Sequence, residues 1–124
     1  MPAKRFGENG DAQNGFVRIR EHRADVIMYI MSERKIVDES FRLSRKRGTL
    51  RREVWIDETG KVTRYNLAYI NHELHQRDNG RVVGYDNAHG AHHGHYFGVV
   101  TPVAFVSFED IETQFERDWV ALGV

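Results

Sequence analysis

Four of the seven histidines in this chain fall within seven positions: His89, His92, His93 and His95. An imidazole changes charge near neutral pH, so a group of them can take a proton at one atom and deliver one at another. Metal-independent cleavage of an RNA phosphodiester needs that pair of steps, a base for the ribose 2′-hydroxyl and an acid for the leaving 5′-oxygen. Asp86 heads the same segment, where it can orient an imidazole or raise its basicity. Glycines at 84, 90, 94 and 98 interleave with the histidines and permit tight turns and close approach of a ligand. Two other readings fit the same residues. In the first, the histidines hold a transition metal. His93 and His95 project to one side of an extended segment, and His89 and His92 meet them only through a turn. No His-Glu-x-x-His or comparable zinc spacing is present, so no metal or other cofactor is expected. In the second, the segment is a solvated polar loop.

The elements that must position these groups are legible in part. Thr49 to Ile56 and Lys61 to Ile70 are strand-like runs around Asp57-Glu58-Thr59-Gly60, which predicts a β-hairpin. Tyr65, Leu67 and Tyr69 alternate with Asn66 and Ala68, as in a strand with one packed face. Arg81 to Tyr85 forms a third strand after the turn-rich Asp78-Asn79-Gly80, and the three make an antiparallel meander. Val26 to Met31 is a strand or part of a short helix, since periodicity cannot arbitrate so short a run. Ser107 caps a C-terminal helix with Glu109 and Asp110 in its first turn. Phe108, Ile111, Phe115, Trp119 and Leu122 recur every three or four residues and form the stripe that closes the core. Gly123 ends the helix. The expected fold is α+β, a small antiparallel sheet packed against that helix. It occupies residues 16–124 as one domain behind a flexible tail, residues 1–15.

The charge balance is zero, yet uneven. Residues 1–60 carry 13 Lys and Arg against 10 Asp and Glu, and residues 61–124 carry 5 against 8. The basic excess gathers at Arg42, Arg45, Lys46, Arg47, Arg51 and Arg52, a stripe able to attract a polyanion or simply to be a solvated strand face. Arg51 and Arg52 point to opposite faces of a strand, so at most one reaches a site on a given face. Without cysteine, disulfides and thiolate metal sites are impossible. The longest apolar run, Val26 to Met31, is too short to span a bilayer, and no signal run precedes it; a cytoplasmic protein with no membrane partner is expected.

The order of motifs from Tyr65-Asn66-Leu67-Ala68-Tyr69-Ile70 through Asp78-Asn79-Gly80-Arg81-Val82-Val83-Gly84-Tyr85-Asp86-Asn87 resembles the TumE-type toxins of toxin–antitoxin systems. The resemblance continues into His89-Gly90, His92-His93, His95, Gly98, Phe105, Ser107 and the terminal helix. It covers the C-terminal half in detail and the first half only loosely. It implies a small growth-inhibiting endoribonuclease, with RNA as substrate and a cognate helix-turn-helix antitoxin as partner; a homodimer is left open. Carried over by position, Asp86, His92, His93 and His95 are the catalytic candidates, with His89 as a further member. Arg51, Arg52, Arg81, Tyr85 and Asn87 are the candidate substrate contacts. The chain departs from the family pattern at Gly94, where an arginine suited to clamping phosphate is common. That role then falls to Arg51, Arg52 or Arg81. The rival functions are a metal-dependent hydrolase or nuclease and a non-enzymatic nucleic-acid-binding module.

Overall fold

The computed structural model describes residues 16–22, 25–44 and 47–123, with side chains from residue 32 onward. The expected tail, residues 1–15, lies outside the described residues, as do Arg45 and Lys46 of the basic stripe. The first two strands, β1 (Phe16–His22) and β2 (Asp25–Met31), pair antiparallel as a two-stranded sheet of their own. The run from Val26 is therefore a strand, in keeping with its β-branched Val26, Ile27 and Ile30.

Six further strands follow in chain order as an antiparallel meander: β3 (Arg34–Arg42), β4 (Thr49–Ile56), β5 (Val62–Ile70), β6 (Arg81–Asp86), β7 (His93–Tyr96) and β8 (Val99–Pro102). The helix α1 (Phe108–Val120) packs over β5 and β6, so the fold is α+β. Three local devices hold this order. Asp57 Oδ1 accepts from the backbone N–H groups of Thr59 (2.8 Å) and Lys61 (3.1 Å), which closes the β4–β5 turn. Ser107 Oγ accepts from the N–H of Asp110 at 3.1 Å and caps α1. Phe97 and Gly98 both take positive φ, 47° and 85°, as a two-residue hairpin turn requires.

The sheet has two unlike faces. Tyr65, Leu67 and Tyr69 of β5 join Val82, Val83 and Tyr85 of β6 beneath Ile111 and Phe115 of α1. Leu67 and Ile111 are fully buried, and each such side chain contributes roughly 1.5–3 kcal/mol. Among the described residues the opposite face carries no helix, and its rows are mostly polar, with Trp55 and Ala68 the apolar exceptions. One ladder row across it reads Asp38, Glu53, Asn66, Asp86, His93; the next reads Ser40, Arg51, Ala68, Gly84, His95. Adjacent strands lie about 4.8 Å apart, so each row is a continuous line of side chains.

Candidate functional site

Strand β7 decides which histidines can work together. His93 and His95 are two residues apart on an extended strand, so both project onto the open face, opposite Asp86 and Gly84 of β6. Asp86 is the hub. Its Oδ2 accepts from His95 Nε2 at 2.8 Å and from Arg81 Nη1 at 3.1 Å. Its Oδ1 accepts from the N–H of Ala88 at 3.1 Å and lies 4.0 Å from His93 Nδ1. A carboxylate only accepts, so the His95 proton toward it sits on Nε2. The two imidazoles differ in access: the His95 side chain is 10% exposed and that of His93 is 31% exposed.

Gly84 is required here for room. The Arg81 side chain crosses it on the way to Asp86, and a Cβ at 84 would stand 2.6 Å from Arg81 Cδ and 2.8 Å from the Leu67 carbonyl oxygen. Arg81 also binds Asp78, through Nε at 2.8 Å and Nη2 at 3.2 Å. Asp78 was not anticipated from sequence as a site residue. Its spacing to Arg81, three residues across a turn, was the available signal.

The other candidates go elsewhere. His92 turns to the helix side, where its Nδ1 meets the Tyr65 hydroxyl at 2.8 Å and its ring stacks on Phe105 at 4.1 Å. Burial first, and then the charge of His93, push the His92 imidazolium below its usual range. His89 sits in a 3-10 turn (Ala88–Gly90) with φ 60°, exposed, on the loop that follows Asp86. Asn87 is occupied by the fold: its Oδ1 accepts from the N–H of Tyr65 and its Nδ2 donates to the Thr63 carbonyl, each at 3.0 Å. Tyr85 is 8% exposed on the helix side and donates to Asp118 at 2.5 Å. Position 94 also faces that side. A Cβ there would meet Val103, Tyr85 and Thr101, beside a cavity of about 340 Å³. An arginine at 94 would thus leave the strand away from His93 and His95.

The three candidate phosphate-binding arginines are all engaged. Arg52 is on the helix face, bonded to Glu112 and Glu39. Arg51, on the opposite face from Arg52, lies on the open face, but it pairs with Asp38 at 2.6 Å and Glu53 at 3.1 Å. Burial works against the Glu53 carboxylate. Hydrogen bonds from Lys35 and Asn66, with the charges of Arg51 and Lys35, outweigh that and hold it below the usual range. Arg81 is shared between Asp78 and Asp86. Within the basic stripe, Arg51 and Arg52 are thus taken up by carboxylates.

Comparison of the chain with protein-family models, curated proteins and solved structures returns no match. Function must be argued from the residues themselves. Among the described residues no group of three His, Asp or Glu side chains is placed to hold a metal ion, and no helix is long and apolar enough to cross a membrane. The arrangement can do one kind of chemistry directly. A carboxylate fixed by an arginine, a buried imidazole and a backbone N–H stands 4.0 Å from Nδ1 of an accessible imidazole, a pair that can act as a general base once it closes to hydrogen-bond length.

Proposed function

We propose that this protein is a cytoplasmic toxin of a toxin–antitoxin system that cleaves RNA by histidine acid–base chemistry, without a metal. The observation that carries the reading is the cluster of Asp86, His93, His95 and Arg81 on the open sheet face, with His93 the accessible imidazole. The motif resemblance described above supports the toxin assignment. His93 takes the proton of a ribose 2′-hydroxyl as its oxygen attacks the phosphorus. The P–O5′ bond breaks, and a second acid delivers a proton to the 5′-oxygen. His89, exposed on the adjoining loop, is the candidate for that acid. Arg81, bonded to Asp78 and Asp86, holds the carboxylate behind His93. The products are a 2′,3′-cyclic phosphate and a 5′-hydroxyl. RNA is the substrate, and a helix-turn-helix antitoxin is the neutralising partner.

The test is incubation of the purified protein with RNA in excess EDTA, followed by end-group analysis. Cyclic phosphate ends formed under those conditions support the reading. Cleavage that disappears with chelator and returns with a divalent metal transfers the site to a metal-dependent nuclease. Salt-sensitive RNA binding with no cleavage, indifferent to His93→Ala, makes the protein a binding module instead.

A further inference from the structure

The open face carries a hydrogen-bonded circuit of Asp78, Arg81, Asp86 and His95, none of which is a proton donor or acceptor in the acid–base steps above. Asp78 Oδ2 accepts from Arg81 Nε at 2.8 Å, and Arg81 Nη1 donates to Asp86 Oδ2 at 3.1 Å. Asp86 Oδ2 accepts from His95 Nε2 at 2.8 Å, and His95 Nδ1 lies 3.9 Å from Asp78 Oδ2, a gap longer than a hydrogen bond. That Nδ1 is buried without a hydrogen-bond partner. His95 therefore offers neither nitrogen to a substrate: one is bound to Asp86 and the other is enclosed. The turn that presents Asp78 is unusual as well. Asp78, Asn79 and Gly80 take φ of 54°, 54° and 81°, a left-handed run that non-glycine residues seldom adopt.

Asp86 has two oxygens, and the circuit uses one of them. With Oδ2 held by Arg81 and His95, Oδ1 is turned toward Ala88 and His93. We infer that Asp78, Arg81 and His95 are positioning residues, which fix the Asp86 carboxylate so that it orients the imidazole of His93. His95 belongs to the brace, not to the proton transfer, although the sequence placed it among the catalytic candidates. The inference rests on the assignment of His93 as the group that meets substrate.

Two readouts separate this inference from the ribonuclease reading. Long-range 1H–15N spectra of the free protein report the imidazole nitrogens, and steady-state RNA cleavage reports turnover. Asp78→Asn, on an exposed turn, and His95→Asn are compared with His95→Gln, whose terminal amide can still donate to Asp86. The expected result is that Asp78→Asn and His95→Asn shift the His93 nitrogen signals and lower kcat roughly 10–100-fold, as loss of an orienting partner does elsewhere. KM stays within about twofold, and His95→Gln restores most of the turnover. His93 signals unmoved by both Asp78→Asn and His95→Asn overturn the inference, whatever the RNA result. So does a His95→Gln protein as inactive as His93→Ala with the His93 signals of the unaltered protein, because His95 would then transfer the proton itself. If the unaltered protein cleaves no RNA, the proposed function falls and the spectra alone decide the positioning role.

Discussion

Replacing Asn87 by alanine should weaken the fold rather than the hold on RNA. The regular β5–β6 pairing ends at Asn66 opposite Asp86, and the Asn87 side chain supplies the next rung with one bond to the Tyr65 N–H and one to the Thr63 carbonyl. Each hydrogen bond contributes roughly 0.5–1.5 kcal/mol net, so the pair is worth about 1–3 kcal/mol. At roughly 3–5 °C per kcal/mol for a domain of this size, Asn87→Ala should lower Tm by about 3–15 °C. Asn87→Asp should do at least as much, because it keeps the acceptor for Tyr65 but sets a carboxylate oxygen against the Thr63 carbonyl. Thermal unfolding followed by circular dichroism measures the first effect, and KM for RNA cleavage below the transition measures the second. A variant that melts with the unaltered protein while its KM rises severalfold would refute the reasoning and return Asn87 to the substrate contacts.

Three further outcomes follow from the geometry. Gly94→Arg, which installs the residue common in the resembling family, should not tighten RNA binding, because its side chain would leave toward Val103 and Tyr85; binding isotherms and melting curves should show unchanged affinity and a lower Tm. His92 has a folded pKa below its unfolded value near 6.5, so the stability it contributes is present above that pH and is lost as pH falls through the lowered value. Denaturant unfolding between pH 5 and 8 should therefore show an acid-side loss that His92→Phe diminishes. Tyr65 and Tyr85 are both pushed above the ordinary phenol range, each first by burial; the charge of Asp86 adds for Tyr65, and the hydrogen bond to Asp118 adds for Tyr85. Their contribution is present below about pH 10 and is lost as pH rises through the raised values, so ultraviolet titration of the folded protein should show an absorbance change above the ordinary phenol range that Tyr65→Phe and Tyr85→Phe each reduce.

What the sequence revealed depended on how strongly one face was patterned. Tyr65, Leu67 and Tyr69 announced β5 because one face is packed against α1, and Phe108, Ile111 and Phe115 announced the helix for the same reason. β3 went unread. It is an edge strand whose charged residues, Arg34, Lys35, Asp38 and Glu39, mask any apolar alternation, as edges commonly do to avoid pairing with other chains. β7 was read only as part of a polar segment, since His93-Gly94-His95 has no apolar periodicity. Alternation did place His93 and His95 on one side in advance, and it separated Arg51 from Arg52. It could not show that His92, one residue earlier, would join the aromatic stack of Tyr65 and Phe105. Nor could it show that Asn87 and Tyr85 would be spent on the fold, because each contact comes from residues more than twenty positions away.

The central claim is that His93, oriented by Asp86, performs the proton transfer in RNA cleavage. Single-turnover cleavage by His93→Ala, measured beside His92→Ala at matched foldedness and in EDTA, tests it most directly. His93→Ala should lose roughly 10²–10⁴-fold in rate, the usual worth of a positioned acid or base, while His92→Ala keeps most of its rate. A folded His93→Ala protein that cleaves RNA at the full rate would contradict it.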